Sequence, residues 1–249
     1  MSGSLLQVRG LVKTFGGIRA TDNLHLEVRA GELHAVIGPN GAGKTTFIAQ
    51  LAGMLSPTRG RILFDGEDVT GLDTVERVRR GIARSFQITS LWPALTVLEN
   101  VVVAVQARQG HAFRFWERAT RAPALRDEAM RLLQRVGLAS NAALPARALS
   151  HGQQRQLELA VTLATRPRLL LLDEPMAGMG GDDSQRMVEL LNELKSSYTI
   201  LLVEHDMDAV FALADRISVL VYGHCEATGT PEEIRSSPEV RAAYLGEEV

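Results

Sequence analysis

The sequence predicts an α/β fold: a mainly parallel sheet, an antiparallel β layer toward the N-terminus and a helical subdomain inserted into the core. Several short, nearly continuous apolar runs, "HAVIG", "LLLLD", "TILLVEH" and "ISVLVY", alternate with longer helical patterns. Runs of that kind suit strands buried on both faces, and the alternation suits a parallel sheet wrapped by helices. The first sixty or so residues differ, with "LLQVRGLVKTF", "NLHLEVRAGE" and "RGRILFDGEDV" reading as strands joined by Gly-containing turns. Strand signals then fade between about Ile88 and Gln156.

Taken in order, the three N-terminal strands make the antiparallel layer and "HAVIG" begins the parallel one. Within the helical stretch, "ALRDEAMRLLQRVGL" places Leu125, Leu132, Leu133 and Val136 on one stripe and ends at Gly137, a C-cap residue. In "LSHGQQRQLELA", Ser150 and Gly152 precede apolar residues at Leu157, Ala160 and Val161. They open a helix whose unpaired amides suit an anion. "LLLLDEP", "TILLVEH" and "ISVLVY" supply the remaining parallel strands. Thr230, Pro231 and Glu233 form a capping box with proline at the first helical position, so a short helix starts there. A single domain over residues 5–249, with a helical subdomain at about 88–156, accounts for the whole pattern.

Composition narrows the function. The 249 residues are 45% apolar and 22% charged, ordinary values for a globular chain, and the formal net charge is −2. That balance gives no basic field for a nucleic acid, which is excluded as the expected partner. Cys225 is the sole cysteine, so neither an internal disulfide nor a cysteine-rich zinc site is available, consistent with a reducing compartment. The start "MSGSLLQVRG" has no signal-peptide pattern, and no apolar run reaches the roughly 18 residues of a membrane span.

The sharpest motif is "HAVIGPNGAGKTTFIAQLAG", in which Gly38, Gly43, Lys44 and Thr45 follow the spacing G-x-x-x-x-G-K-[ST] between a strand and a helix. The glycines let successive amides face phosphates, Lys44 brings positive charge to the terminal ones, and the Thr45 hydroxyl suits magnesium. "RLLLLDEP" puts Asp173 and Glu174 at the end of a buried strand, where open parallel sheets place their sites. One carboxylate can hold magnesium through water, and its neighbour, pointing the other way along the strand, can face an attacking water. His205 after "TILLVE" and Gln87 after "GIARSF" sit at further strand ends. Alone, each is an ordinary polar residue. Four strand ends delivering Gly38, Gln87, Asp173 and His205 to one sheet edge define a site.

With these residues in place the chain resembles, over essentially its whole length, the nucleotide-binding subunits of ABC transporters, ATPases with a P-loop core. "GPNGAGKTT" is similar to the Walker A loop, "SFQITSLWP" to the Q-loop, "LSHGQQ" to the signature loop, "LLLLDEP" to the Walker B strand and "VEHD" to the H-loop. The resemblance implies ATP and Mg²⁺ as cofactors. It implies that Gly38, Asn40, Gly41, Ala42, Gly43, Lys44, Thr45 and Thr46 cradle the phosphates, that Phe15 stacks on adenine, and that Thr45, Gln87 and Asp173 serve the metal. Glu174 becomes the base that polarises water, and His205 a contact to the γ-phosphate. It also implies a head-to-tail pair of ATPase subunits, identical or not, in which Ser150, Gly152 and Gln153 of one cap the γ-phosphate held by the other.

Two positions depart from the family pattern. His151 replaces the first glycine of the commonest signature, LSGGQ, and Gly180 stands where many relatives have Asp or Asn, which puts the wiring of the D-loop in question. The "AGM" after "DEPM", the insertion "QARQGHAFRFWERATRAPALRDEA" and the tail "GTPEEIRSSPEVRAAYLGE" resemble ATPases of branched-chain or hydrophobic amino-acid importers. The expectation is a peripheral subunit on the cytoplasmic face of the inner membrane, bound to separate permeases and served indirectly by a periplasmic binding protein. Phe113, Phe115 and Trp116 within the insertion are expected to form a local mini-core or a permease contact. Alternatives are the ATPase of a lipopolysaccharide exporter, whose members generally lack the aromatic insertion, and a non-transport ATP-gated clamp.

Overall fold

A computed structural model describes residues 3–85, 91–109 and 123–237 of the chain. Gln87, the Phe113, Phe115 and Trp116 cluster and the tail from residue 238 onward lie outside the described residues. Strands β1 (Ser4–Phe15), β2 (Ile18–Arg29), β4 (Arg59–Phe64) and β5 (Glu67–Asp68) form an antiparallel sheet in the order β2-β1-β4-β5. β3 (Leu33–Ile37) leaves that layer for a second sheet. Its other strands are β6 (Ile82–Arg84), β7 (Leu169–Asp173), β8 (Thr199–Val203), β9 (Arg216–Val221) and β10 (His224–Gly229), in the order β10-β9-β3-β8-β7-β6. β9, β3, β8, β7 and β6 pair in parallel, and β10 is antiparallel to β9. The fold class predicted from the apolar runs is the one observed.

Helices α1 (Lys44–Leu51), α2 (Thr74–Arg80), α3 (Val97–Arg108), α4 (Pro123–Arg135), α5 (His151–Leu163), α6 (Gly181–Leu194), α7 (Met207–Leu213) and α8 (Pro231–Ser236) cover the strands. Every residue of β3, β7 and β8 is buried, and strand alternation divides them between two cores. Leu170, Leu172, Ile200 and Leu202 face helices α3, α5 and α6, whereas Leu169, Leu171, Leu201 and Val203 face α1 and the antiparallel sheet. The side of the second sheet on which a residue emerges therefore decides whether it meets the phosphate-loop helix or the signature helix.

Between residues 91 and 150 the described chain holds helices, 3₁₀ turns and one isolated bridge, Thr96 with Pro145, but no strand. On α4, Ala129 and Leu133 are buried, with Val136 just beyond its end, while Leu125 and Leu132 pack partly buried against the same core. The stop is chemical: Gly137 takes φ 76° and the Leu138 amide donates to the Leu133 carbonyl at 2.8 Å, the bond pattern of a Schellman cap. Among the described residues no helix is long and apolar enough to cross a membrane.

The end of the phosphate-loop helix is secured by a buried cation. Arg77 of α2, 1% exposed, donates to the carbonyls of Gln50 and Leu51 at 2.6 and 2.8 Å, and also to those of Leu72 and Thr70. These carbonyls include orphan acceptors of the α1 terminus. Burial pushes the guanidinium down to about 10, so it remains a cation at neutral pH. Hydrogen bonds from a charged donor contribute about 1.5–3 kcal/mol each, so Arg77→Met, which keeps the volume and removes the donors, is expected to cost at least about 3 kcal/mol. Urea unfolding checks this; an unchanged midpoint would mean that the carbonyls find equivalent partners.

Candidate functional site

β3 delivers the chain into a loop, Gly38 to Gly43, that closes onto the first turn of α1. Two glycines are needed for close approach as well as for backbone shape. Gly38 has φ 152° and Gly43 φ 98°; a Cβ on the first would strike the Leu220 carbonyl oxygen of β9, and on the second the Ala20 carbonyl oxygen of β2. The Gly223 amide adds a bond to the Ala42 carbonyl at 3.0 Å. Ala42 is buried, Asn40, Gly41 and Thr45 are exposed, and Thr46 is partly so. The Lys44 ammonium bends back over the loop, donating to the carbonyls of Gly38 at 2.5 Å and Pro39 at 3.0 Å. Burial pushes it below the ordinary lysine range, opposed by the nearby charges of Glu174 and Asp173. A cation held by two neutral carbonyls beside the start of a helix is well placed to exchange them for phosphate oxygens.

β7 and β8 flank the loop. Register pairs Val36 with Val203 and Val203 with Asp173, so the ends of β3, β8 and β7 are level. Asp173 follows the alternation of Leu169 and Leu171, on the α1 side of the sheet. Its carboxylate is buried, with Oδ2 bonded to Arg84 at 2.7 Å and Oδ1 without a partner among the described residues. Burial raises its pKa and Arg84 counteracts this. Glu174 differs from the alternation argument: β7 stops at Asp173, and Glu174 adopts a left-handed φ of 48°. Its amide donates to the Val203 carbonyl at 2.8 Å. The carboxylate is therefore aimed by a turn rather than by the strand pleat. His205 lies just past β8 with its side chain 61% exposed.

Sequence reasoning overlooked two residues here. Glu204, fully buried, accepts the Met176 amide on Oε1 and the His205 amide on Oε2, both at 3.0 Å. It ties the turn carrying Glu174 to the segment carrying His205. Burial raises its pKa, against those amide bonds. The signal was a carboxylate directly after the apolar run "TILLV". Arg84, the partner of Asp173, is the second.

The other helix start expected to meet phosphate is that of α5. Ser150 is its N-cap, with the Gln153 amide donating to Ser150 Oγ at 3.2 Å and the Ser150 amide donating to Gln153 Oε1 at 3.0 Å. Accepting that bond leaves the Ser150 hydroxyl proton available to donate. Ser150 and Gln153 border an open groove of about 510 Å³ that also meets Arg135, Asp183 and Arg186. Gly152 is buried against Asp183, whose carboxylate occupies the space a Cβ would take. The exposed His151 ring reaches the Ala177 carbonyl, Nε2 to O at 3.4 Å, and so touches the segment after Glu174. Gly180 caps α6 with no side-chain bond. Phe15, at the end of β1, is 49% exposed, not a core residue, and Lys13 Nζ lies 5.2 Å from its ring centre.

Thr45 and Asp173 also suit a metal of a particular kind. Among the described residues no group of three or more His, Cys, Asp and Glu side chains could cage an ion. An exposed hydroxyl and one buried, half-paired carboxylate fit a hard cation whose other ligands are phosphate oxygens and water, the usual state of magnesium.

A phosphate loop at the end of a central parallel strand, with carboxylates on the neighbouring strand, defines a nucleotide-binding α/β cassette. The model of the ABC transporter family matches residues 21–177, and that of the branched-chain amino acid ATP-binding cassette transporter matches residues 227–249. The chain is 42% identical to the high-affinity branched-chain amino acid transport ATP-binding protein LivG of Salmonella typhimurium, covering 99% of this chain and 100% of the relative. It is 41% identical, with the same coverage, to the corresponding protein BraF of Pseudomonas aeruginosa. The crystal structure of the ADP conformation of an ATP-binding cassette of an ABC transporter superposes with a TM-score of 0.87 at 29% identity, covering 98% of this chain and 100% of that one. A dimeric cassette in a post-hydrolysis state bound to ADP and Pi gives 0.77 at 26% identity, covering 91% and 98%. The chain belongs to the ABC transporter ATPases.

Proposed function

We propose that this ATPase powers the import of branched-chain or other hydrophobic amino acids through separate permease subunits, working as one of two cassettes that share their ATP sites. The full-length similarity to LivG and BraF supports the substrate class. The observation that carries the paired arrangement is the position of Ser150. It caps a helix beside an open groove, and the bonds of its turn go to its own helix and to the loop after Glu174. A second anion-binding turn of this kind serves a nucleotide brought by another subunit.

In this reading Gly38 and Asn40 to Thr46 hold the triphosphate, Lys44 neutralises its end, and Phe15 stacks on the base. Thr45 and Asp173, with Gln87 as a further candidate, would hold Mg²⁺, which would supply positive charge to the triphosphate. Glu174 orients and deprotonates the attacking water, and His205 contacts the γ-phosphate. Ser150, Gly152 and Gln153 close over the partner's nucleotide. The subunit sits peripherally on the cytoplasmic face of the inner membrane, and the periplasmic binding protein acts on it only through the permeases.

The test is co-purification from the native host followed by reconstitution. Permeases of a hydrophobic amino-acid importer should accompany the tagged chain, and leucine uptake into vesicles should require ATP and Mg²⁺. Chelation should reduce hydrolysis to background. Recovery of lipopolysaccharide-export permeases, or leucine uptake indifferent to ATP, would overturn the assignment.

A further inference from the structure

The contact between Arg84 and Asp173 is the feature least accounted for by nucleotide binding. Pairing Ile82 with Leu169 and Arg84 with Leu171 sets β6 beside β7, and the Arg84 side chain reaches up the sheet to the Asp173 carboxylate. Both side chains are buried, 8% and 0% exposed, and the bond from Nη2 to Oδ2 is 2.7 Å. The pair is nevertheless incompletely satisfied. Nη1 faces the thioether sulfur of Met54 at 3.1 Å, a weak acceptor. Nε of Arg84 and Oδ1 of Asp173 are both buried without partners among the described residues. A guanidinium and a carboxylate can meet through two parallel bonds, and here they make one. A desolvated pair with hydrogen-bonding groups left unpaired on both sides contributes little net stability, and the free Oδ1 leaves the carboxylate able to meet a second cation. Met54, beside Arg84, is 54% exposed, so the guanidinium has a route toward solvent.

We infer that Arg84 is a resident counter-cation for Asp173, holding the carboxylate while no metal-nucleotide is bound and yielding it when one arrives. The inference rests on Asp173 serving the metal, as proposed above. Arg84 is a positioning residue, acting through Asp173. The Arg84 charge competes with metal-nucleotide for the same carboxylate, so the pair lowers the advantage that Mg²⁺ confers on nucleotide binding. By linkage, that advantage equals the coupling between metal and nucleotide. It can be read at equilibrium, without hydrolysis.

The experiment measures the Kd of a β,γ-imido ATP analogue by calorimetry in Mg²⁺ and again in EDTA, and compares the two for each variant. In Arg84→Gln the ratio of the EDTA to the Mg²⁺ value is expected to rise by about three- to tenfold, equivalent to up to about 1.4 kcal/mol. Arg84→Met, which fills the apolar space without charge, should give the same rise, while Arg84→Lys, which keeps a cation, should stay near wild type. Affinity in EDTA depends on the loop and Lys44 and reports that each variant is folded. Asp173→Asn should reduce the ratio toward one. A reduced ratio in Asp173→Asn with no rise in either Arg84→Gln or Arg84→Met overturns the role of Arg84 and leaves that of Asp173 intact. A wild-type ratio in Asp173→Asn overturns both.

Discussion

Glu174→Gln is expected to bind ATP, to accumulate as a nucleotide-loaded dimer, and to lose about 10²- to 10⁴-fold in turnover, the usual contribution of a positioned general base. The variant keeps the shape of the side chain but removes its charge and its ability to take a proton. Geometry makes the result specific. Glu174 sits in a left-handed backbone conformation, φ 48°, which costs a residue with a long side chain about 1–2 kcal/mol. The neighbouring bonds hold it there: its own amide to Val203, and the Met176 amide to Glu204. Strain maintained at the end of β7 points to a side chain that must be aimed. Size-exclusion chromatography with ATP and single-turnover hydrolysis check both halves. Rapid hydrolysis by the folded variant would take the base role away from Glu174.

Lys44→Ala should fail to retain nucleotide. Lys44 donates to the Gly38 and Pro39 carbonyls, and in the proposed bound state the same donors would turn to phosphate. If each charge-assisted bond contributes about 1.5–3 kcal/mol, losing two weakens binding by at least about two orders of magnitude. Fluorescent-nucleotide titration, with circular dichroism to verify folding, measures this. The loop itself should survive, because backbone bonds from Gly223 to the Ala42 carbonyl and from Ala42 to the Pro39 carbonyl remain when the ammonium is lost. An unaltered Kd would refute the role given to Lys44.

The sequence was most legible where the physics is local. Strands buried on both faces announce themselves as unbroken apolar runs, so β3, β7, β8 and β9 were readable directly. Caps span a few residues, which made the starts of α5 and α8 at Ser150 and Thr230 equally plain. Long-range polar pairing was opaque. Arg84 reads as an ordinary charge near a strand end because its partner lies 89 positions away. Glu204 stands out locally as a carboxylate after an apolar run, but its bond to the Met176 amide spans 28 positions. The turned backbone at Glu174 was also invisible, since strand periodicity extrapolates straight through it. His151 shows a third limit: the sequence displays it as a departure from a motif, but its contact with the Ala177 carbonyl needs the folded chain.

The glycines of the phosphate loop leave one more consequence. Because Gly38 is cast against Leu220 and Gly43 against Ala20, the loop takes its curvature from two distant strands that supply none of its residues. A displacement of either oxygen by a few tenths of an ångström would alter the cradle's spacing. Substitutions in the β1–β2 hairpin, far from any reacting atom, are therefore heritable means of tuning how tightly this motor grips its fuel.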